Sequence, residues 1–167
     1  EDLSDFTRST MRFLRETIWV INQDAILISE FLDKVGEYGD KITEHLNVKF
    51  TLKSKGAIDQ KLNPTVAMNM FRVIQEAINN ALKHANASQI EITFSNRLNT
   101  IQFVVFDNGA GFDGRKKVGH YGLDNMKERI KEVNGIFILD SSPKGTRIKV
   151  EMPKVQTTAN AGFIGKP

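Results

Sequence analysis

Over residues 3–44 the apolar positions recur at helical spacing. Leu14, Ile18, Ile21, Ala25, Ile28, Leu32 and Val35 alternate by four and three, and Phe6, Phe13, Val20, Leu27 and Phe31 run beside them. Two adjacent stripes make an apolar face too wide for one partner, so this segment must bury against other helices, of this chain or another. Asn22-Gln23-Asp24 interrupts the pattern, and Asp24 is suited to capping a new helix. The spacing predicts one helix ending near Ile21 and a second from about Ala25 to Glu44; a continuous bent helix is the alternative. Gly36 and Gly39 weaken the second helix near its end.

The period then changes. Val48–Ser54 alternates apolar and polar, as a half-buried strand does. Residues 55–63 read as a loop. Asn63-Pro64 opens a helix running to about His84, because asparagine caps a helix start and proline suits its first turn. Val66, Met70, Val73, Ile74, Ala77, Ile78, Ala81 and Leu82 form its core face. Gln89–Phe94 and Thr100–Phe106 flank a turn at Asn96–Asn99, a hairpin signal. Leu123, Met126, Ile130 and Val133 mark a short helix ended by Asn134-Gly135. Ile136–Leu139 and Thr146–Met152 are strands around a turn at Ser141–Gly145, and residues 156–167 have no periodicity and read as a tail. Hairpin-joined strands mixed with helices predict an α+β fold: a two-layer sandwich, a mixed sheet with helices on one face, preceded by a long N-terminal helix.

Composition narrows the picture. The chain has 167 residues, 40% hydrophobic and 26% charged, ordinary for a globular protein. A net charge of +3 gives no case for nucleic acid, despite a pI near 9.1. With no cysteine there are no disulfides and no thiolate metal sites, which fits a reducing, cytoplasmic compartment. No apolar run approaches a membrane span. The first residue is Glu1 and no signal segment is evident, so a piece of a longer protein is expected.

Two stretches carry candidate chemistry. Asp107–Leu123 follows a buried strand and holds glycines at 109, 111, 114, 119 and 122 with Arg115, Lys116 and Lys117 among them. Glycine permits close backbone approach to a ligand and basic groups suit phosphate, so a nucleotide loop is one reading; a surface loop, or a turn at Asp107-Asn108-Gly109, is the other. On the helix from Pro64, Glu76, Asn80, Lys83 and, one step round, His84 share a face. Oxygen ligands beside cationic groups suit Mg²⁺ and a triphosphate, whereas the simpler alternative is a solvated face with an ion pair. An asparagine pair in mid-helix is poorly explained by solvation alone.

Taken in order, these stretches carry a resemblance. Glu76-x-x-x-Asn80-Ala81-x-Lys83-His84 is similar to the N box of the GHKL ATP-binding superfamily, and Asp107-x-Gly109-x-Gly111-Phe112 to its first glycine box. Gly119-His120-Tyr121-Gly122-Leu123-x-x-Met126-x-Glu128-Arg129 resembles the second glycine box, and Gly145-Thr146 the closing pair. The wording of the first and third motifs resembles sensor histidine kinases of the NarL/DesK-like class. Leu14–Trp19 is similar to the second helix of that class's dimerisation and phosphotransfer hairpin.

The resemblance implies a Bergerat ATP-binding fold over residues 23–155, after a partial hairpin at 1–22 and before a tail at 156–167. It implies ATP and Mg²⁺ as ligands. Asp107 would accept from the adenine amine, with Gly109 and Gly111 in the same corner. Asn80 would ligate Mg²⁺, with Glu76 holding a metal-bound water or acting as a base. Lys83 and His84 would approach the phosphates. Gly119, Tyr121, Gly122 and Leu123 would belong to the lid and the helix start that meets the triphosphate, and Thr146 would line the base pocket. The implied reaction is transfer of the γ-phosphoryl group to a histidine, for relay to a response-regulator receiver domain. The implied partners are a second copy bound through the N-terminal helix and an upstream sensor domain, with no membrane segment in residues 1–167 and no nucleic acid. None of His45, His84 and His120 lies in residues 1–44, so the acceptor helix is expected upstream of Glu1. The alternatives are another GHKL-type ATPase, an anti-sigma-factor serine kinase, or a non-catalytic nucleotide-binding dimerisation module.

Overall fold

The computed structural model describes residues 23–112 and 121–154. The helix expected before Ile21, the tail, and Gly119 and His120 lie outside these residues. In chain order the elements are β1 (Ile26–Leu27), α1 (Ile28–Thr43), β2 (Lys49–Lys55), β3 (Lys61–Leu62), α2 (Pro64–Lys83), β4 (Gln89–Asn96), β5 (Thr100–Asp107), α3 (Tyr121–Glu132), β6 (Ile136–Ser142) and β7 (Gly145–Pro153).

The five long strands form one sheet in the order β2-β4-β5-β7-β6; β2 and β4 run parallel and the other pairs antiparallel. Alternation makes one face apolar. Ile90, Ile92 and Phe94 of β4, Ile101, Phe103 and Val105 of β5, and Ile148, Val150 and Met152 of β7 are buried together with the apolar stripes of α1, α2 and α3. The same strands turn Glu91, Arg147 and Lys149 to the opposite, polar face, where Lys53 Nζ meets Glu91 Oε2 at 2.6 Å and Lys149 Nζ meets Glu151 Oε1 at 2.8 Å. A sheet with helices on one face is the α+β two-layer architecture expected from the pattern. Burying a side chain such as Phe103, fully enclosed, contributes about 1.5–3 kcal/mol.

The start of the domain differs from expectation. The helix begins at Ile28, not Ala25, and Asp24 does not cap it. Ile26 and Leu27 instead pair with Leu62 and Lys61, a ladder that continues as Ile28 N to Gln60 O (2.9 Å) and Ser29 N to Ile58 O (3.0 Å). Residues 55–63, expected to be all loop, supply the partner strand. Leu27 then sits at the cap position, its amide held by the Glu30 carboxylate at 3.3 Å. Gly39, read as a weak point, has a packing role. A Cβ there would collide with the Phe50 ring of β2, so its absence lets helix and strand approach.

Asn63 caps α2 as expected: its Oδ1 accepts from Thr65 N at 2.8 Å, with Pro64 in the first turn. The end of α3 is closed by Asn134-Gly135 as expected, with Asn134 taking the left-handed position. Asn134 takes φ 56°, and Asn134 N to Lys131 O (3.0 Å) and Gly135 N to Ile130 O (2.9 Å) complete a Schellman motif. The last hairpin is tighter than expected. β6 continues to Ser142 and β7 begins at Gly145, leaving Pro143-Lys144 as the turn. Ser141 is therefore a strand residue opposite Thr146.

Candidate functional site

The site is built where α2, the end of β5, the start of α3 and the β6–β7 hairpin meet. The alternation along β5 ends at Asp107, buried and directly opposite Thr146 of β7. In an antiparallel pair, opposite residues share a face, so the carboxylate and the threonine hydroxyl stand side by side. Asp107 Oδ1 accepts from Gly109 N at 2.9 Å. The amides of Gly109 and Thr146 both favour the charged carboxylate, yet burial outweighs them and pushes the Asp107 carboxyl above its ordinary value.

The segment after Asp107 is anchored on three sides. Asn108 Oδ1 accepts from Ser88 N (3.0 Å) and Gln89 N (2.8 Å), and its Nδ2 donates to Ser88 Oγ (2.9 Å). Ala110 N donates to Ala85 O at 2.9 Å, which ties the loop to the end of α2. Phe112 N donates to Ser141 Oγ at 2.9 Å, and Ser141 Oγ lies 3.1 Å from Thr146 Oγ1. Gly111 has φ 63°, and a Cβ there would strike the Ser142 carbonyl; only glycine fits without strain.

Across from this corner, one turn apart on α2, stand Glu76 and Asn80. Gly122 in the first turn of α3 lies directly against Glu76: a Cβ there would meet its carboxylate oxygen. Between the two walls is a cleft of about 390 Å³. Its lining includes Glu76, Asn80, His84, Asp107, Gly111, Gly122, Leu123 and Thr146. Two candidates do not line it. Lys83 is exposed at the last turn of α2, and Gly109 packs on Ala85. Tyr121 opens α3, and Gly119 falls outside the described residues.

The floor of the cleft is built mostly from residues outside the motifs. Ala77, Ala81 and Ala85 from α2 and Val105 and Ile148 from the sheet line it too, with Phe112 at the side. The helical positions carried the signal, since three small residues follow one another at four-residue spacing. Small side chains leave a gap between helix and sheet, and an apolar gap beside a carboxylate and a hydroxyl suits a flat heteroaromatic base. Among the described residues no three His, Cys, Asp or Glu side chains cluster to hold a metal. Asn80 and Glu76 fit a Mg²⁺ that takes most of its ligands from phosphate and water.

The fold is shared with solved histidine kinase domains. A histidine kinase domain of the blue-light activated kinase from Erythrobacter litoralis EL346 matches with TM-score 0.66 at 15% identity, over 78% of this chain and 63% of that one. The catalytic domain of histidine kinase ThkA matches with TM-score 0.63 at 17% identity, over 78% of this chain and 94% of that one.

Residues 65–156 match the family described as histidine kinase-, DNA gyrase B-, and HSP90-like ATPase, and the chain belongs to that family. The family implies ATP as the nucleotide. Among curated proteins the chain is 40% identical over 165 residues to the sensor histidine kinase YdfH of Bacillus subtilis (strain 168), covering 92% of this chain and 40% of that protein. It is 29% identical over 154 residues to the signal transduction histidine-protein kinase/phosphatase DegS of Brevibacillus brevis, covering 91% of this chain and 40% of that protein. The chain thus spans two-fifths of the length of these relatives.

Proposed function

We propose that this chain is the ATP-binding catalytic domain of a two-component sensor histidine kinase, and that it presents the γ-phosphoryl group of ATP to a histidine on a separate helix. The observation that carries the reading is the convergence of Glu76 and Asn80 from α2, Asp107 and Gly111 from the β5 end, Gly122 from α3 and Thr146 from β7 on one cleft. In this reading the Asp107 carboxylate accepts from the exocyclic amine of adenine, and the base lies on the apolar floor. The triphosphate runs toward the N-terminus of α3, where first-turn amides favour anions. Asn80, with Glu76 beside it, would hold Mg²⁺, which neutralises phosphate charge when bound. Glu76 also orients or accepts the proton of the attacking group. The domain's work is positioning and electrostatic stabilisation.

The relatives' names support the kinase reading over another ATPase of the same family. They extend well beyond the matched stretch, and the acceptor histidine, the dimer-forming helix and a sensor region are proposed to belong to such additional parts. The receiver domain of a response regulator is the proposed downstream partner. Among the described residues no helix is long and apolar enough to cross a membrane.

Titration of the chain with ATP, with and without Mg²⁺, tests the nucleotide step. Micromolar binding that strengthens with Mg²⁺ and is lost in Asn80→Ala is expected; absence of ATP binding refutes the reading. Incubation with γ-labelled ATP tests the acceptor's location, because acid-labile label on this chain alone would place a phosphorylated histidine within residues 1–167.

A further inference from the structure

We infer that Ser141, which no motif singles out, is a positioning residue that sets the hydrogen-bonding direction of Thr146 and thereby selects a purine with an acceptor at N1. The inference rests on the proposed binding of ATP in this cleft. Its basis is the pair of contacts at Ser141 Oγ: 2.9 Å from Phe112 N and 3.1 Å from Thr146 Oγ1. A backbone amide can only donate, so Phe112 occupies one lone pair of Ser141 Oγ. The single proton between the two hydroxyls then decides what Thr146 offers. If Ser141 donates it, the Thr146 proton is left to donate toward the cleft. If Thr146 donates it, Thr146 faces the cleft as an acceptor only.

Asp107 fixes which direction adenine requires. The base amine at C6 donates to the carboxylate, and the neighbouring ring atom N1 is an acceptor. The side chain beside Asp107, opposite it in the ladder and lining the cleft, is Thr146. Recognition of N1, directly or through one water, thus needs Thr146 to donate. The chain of bonds then runs one way: Phe112 N–H to Ser141, Ser141 O–H to Thr146, Thr146 O–H to the base. Bonds aligned in this sense polarise and strengthen one another. Ser141 holds its place because β6 continues through it to Ser142 and because Gly111, at φ 63°, packs beneath the Ser142 carbonyl.

The test compares binding of ATP and of 1-deaza-ATP, which keeps the amine and the triphosphate but lacks the N1 acceptor. The parent chain should favour ATP by about tenfold, the worth of one hydrogen bond that leaves no partner when lost. Ser141→Ala removes the aligned donor but leaves Thr146 able to donate, so the preference should narrow to about fivefold, and Ser141→Thr should restore it. Should Ser141→Ala fail to fold, Ser141→Cys, close in size with a much weaker hydrogen-bonding group, is judged by the same ratio. An unchanged ratio in the variant, whether both affinities hold or both fall together, overturns the proposal, because a merely structural serine would affect the two nucleotides alike. Failure of the parent to bind ATP at all would instead refute the nucleotide reading, and this inference with it.

Discussion

Asp107→Asn tests the corner proposed to recognise the base. Asp107 is 7% exposed, and its carboxylate accepts from Gly109 N at 2.9 Å while keeping acceptor capacity toward the cleft. An asparagine has one acceptor oxygen and a nitrogen that only donates. If the oxygen faces the Gly109 amide, the NH₂ group faces the adenine amine; if it faces the cleft, the NH₂ group opposes the amide. Either way one donor meets another. A hydrogen bond to a charged group contributes about 1.5–3 kcal/mol, so ATP affinity should fall roughly ten- to hundredfold.

The titration of Asp107 sharpens the assay. Its carboxyl lies above the ordinary 3.8 because burial penalises the charge. Only the ionised form can accept fully from both the Gly109 amide and the adenine amine. Below the raised value binding therefore expels a proton, and affinity should drop as pH falls through it. Asp107→Asn should lack that component, while protonation of ATP itself affects both proteins equally. The folding linkage has the opposite sign. A carboxyl with a raised folded-state pKa favours the folded state fully below 3.8, and that favour is lost as pH rises through the folded value. Asp107→Asn removes this cost, so its thermal midpoint near neutral pH should not fall. Calorimetric titration across pH, with a thermal melt of each protein, reads both quantities. Affinity kept within twofold, or lost together with the midpoint, would refute the role given to this carboxylate.

Other substitutions test the scaffold. Gly39→Ala should destabilise by about 1–3 kcal/mol in a denaturant titration, because the new methyl meets the Phe50 ring; helix propensity alone predicts stabilisation of about 1 kcal/mol, so the sign decides. Asn63→Ala should cost about 1 kcal/mol by removing the acceptor for Thr65 N, read as a shift of the same midpoint. Glu91→Gln should cost less than about 1 kcal/mol, since its partner Lys53 is half exposed. The hydrogen bond from Lys53 holds the Glu91 carboxyl below 4.5, so its contribution exists above that pH and is lost as pH falls through the folded value; the Gln variant should show a flatter acid limb.

Much of this protein is legible in one dimension because the controlling forces are local. The 3.6-residue period of α2, its Asn63-Pro64 start and the two-residue alternation of β4, β5 and β7 each follow from which face must leave water, and they hold in the structure. The paired motifs on α2 and after β5 point to a nucleotide through their resemblance, taken in order, to the boxes of a known family; the residues alone leave a solvated helix face and a surface loop open. Where expectation failed, a distant segment had intervened. Ala25–Leu27 carry a helical pattern, but backbone pairing with Lys61–Leu62 takes Ile26 and Leu27 out of the helix. Gly39 breaks a propensity rule in favour of a ring that lies eleven residues away in the chain.

The site divides along the same line. Asp107, Asn80 and Thr146 are visible as letters at motif positions. That Asp107 is buried opposite Thr146, that Ser141 bridges Thr146 to Phe112, and that Ala77, Ala81, Val105 and Ile148 floor the cleft depends on sheet register and on the gap between helix and sheet. An alternating pattern says which face of a strand is apolar. It does not say whether that face meets another side chain or an open cleft, because that choice is made by the size of residues on a different element.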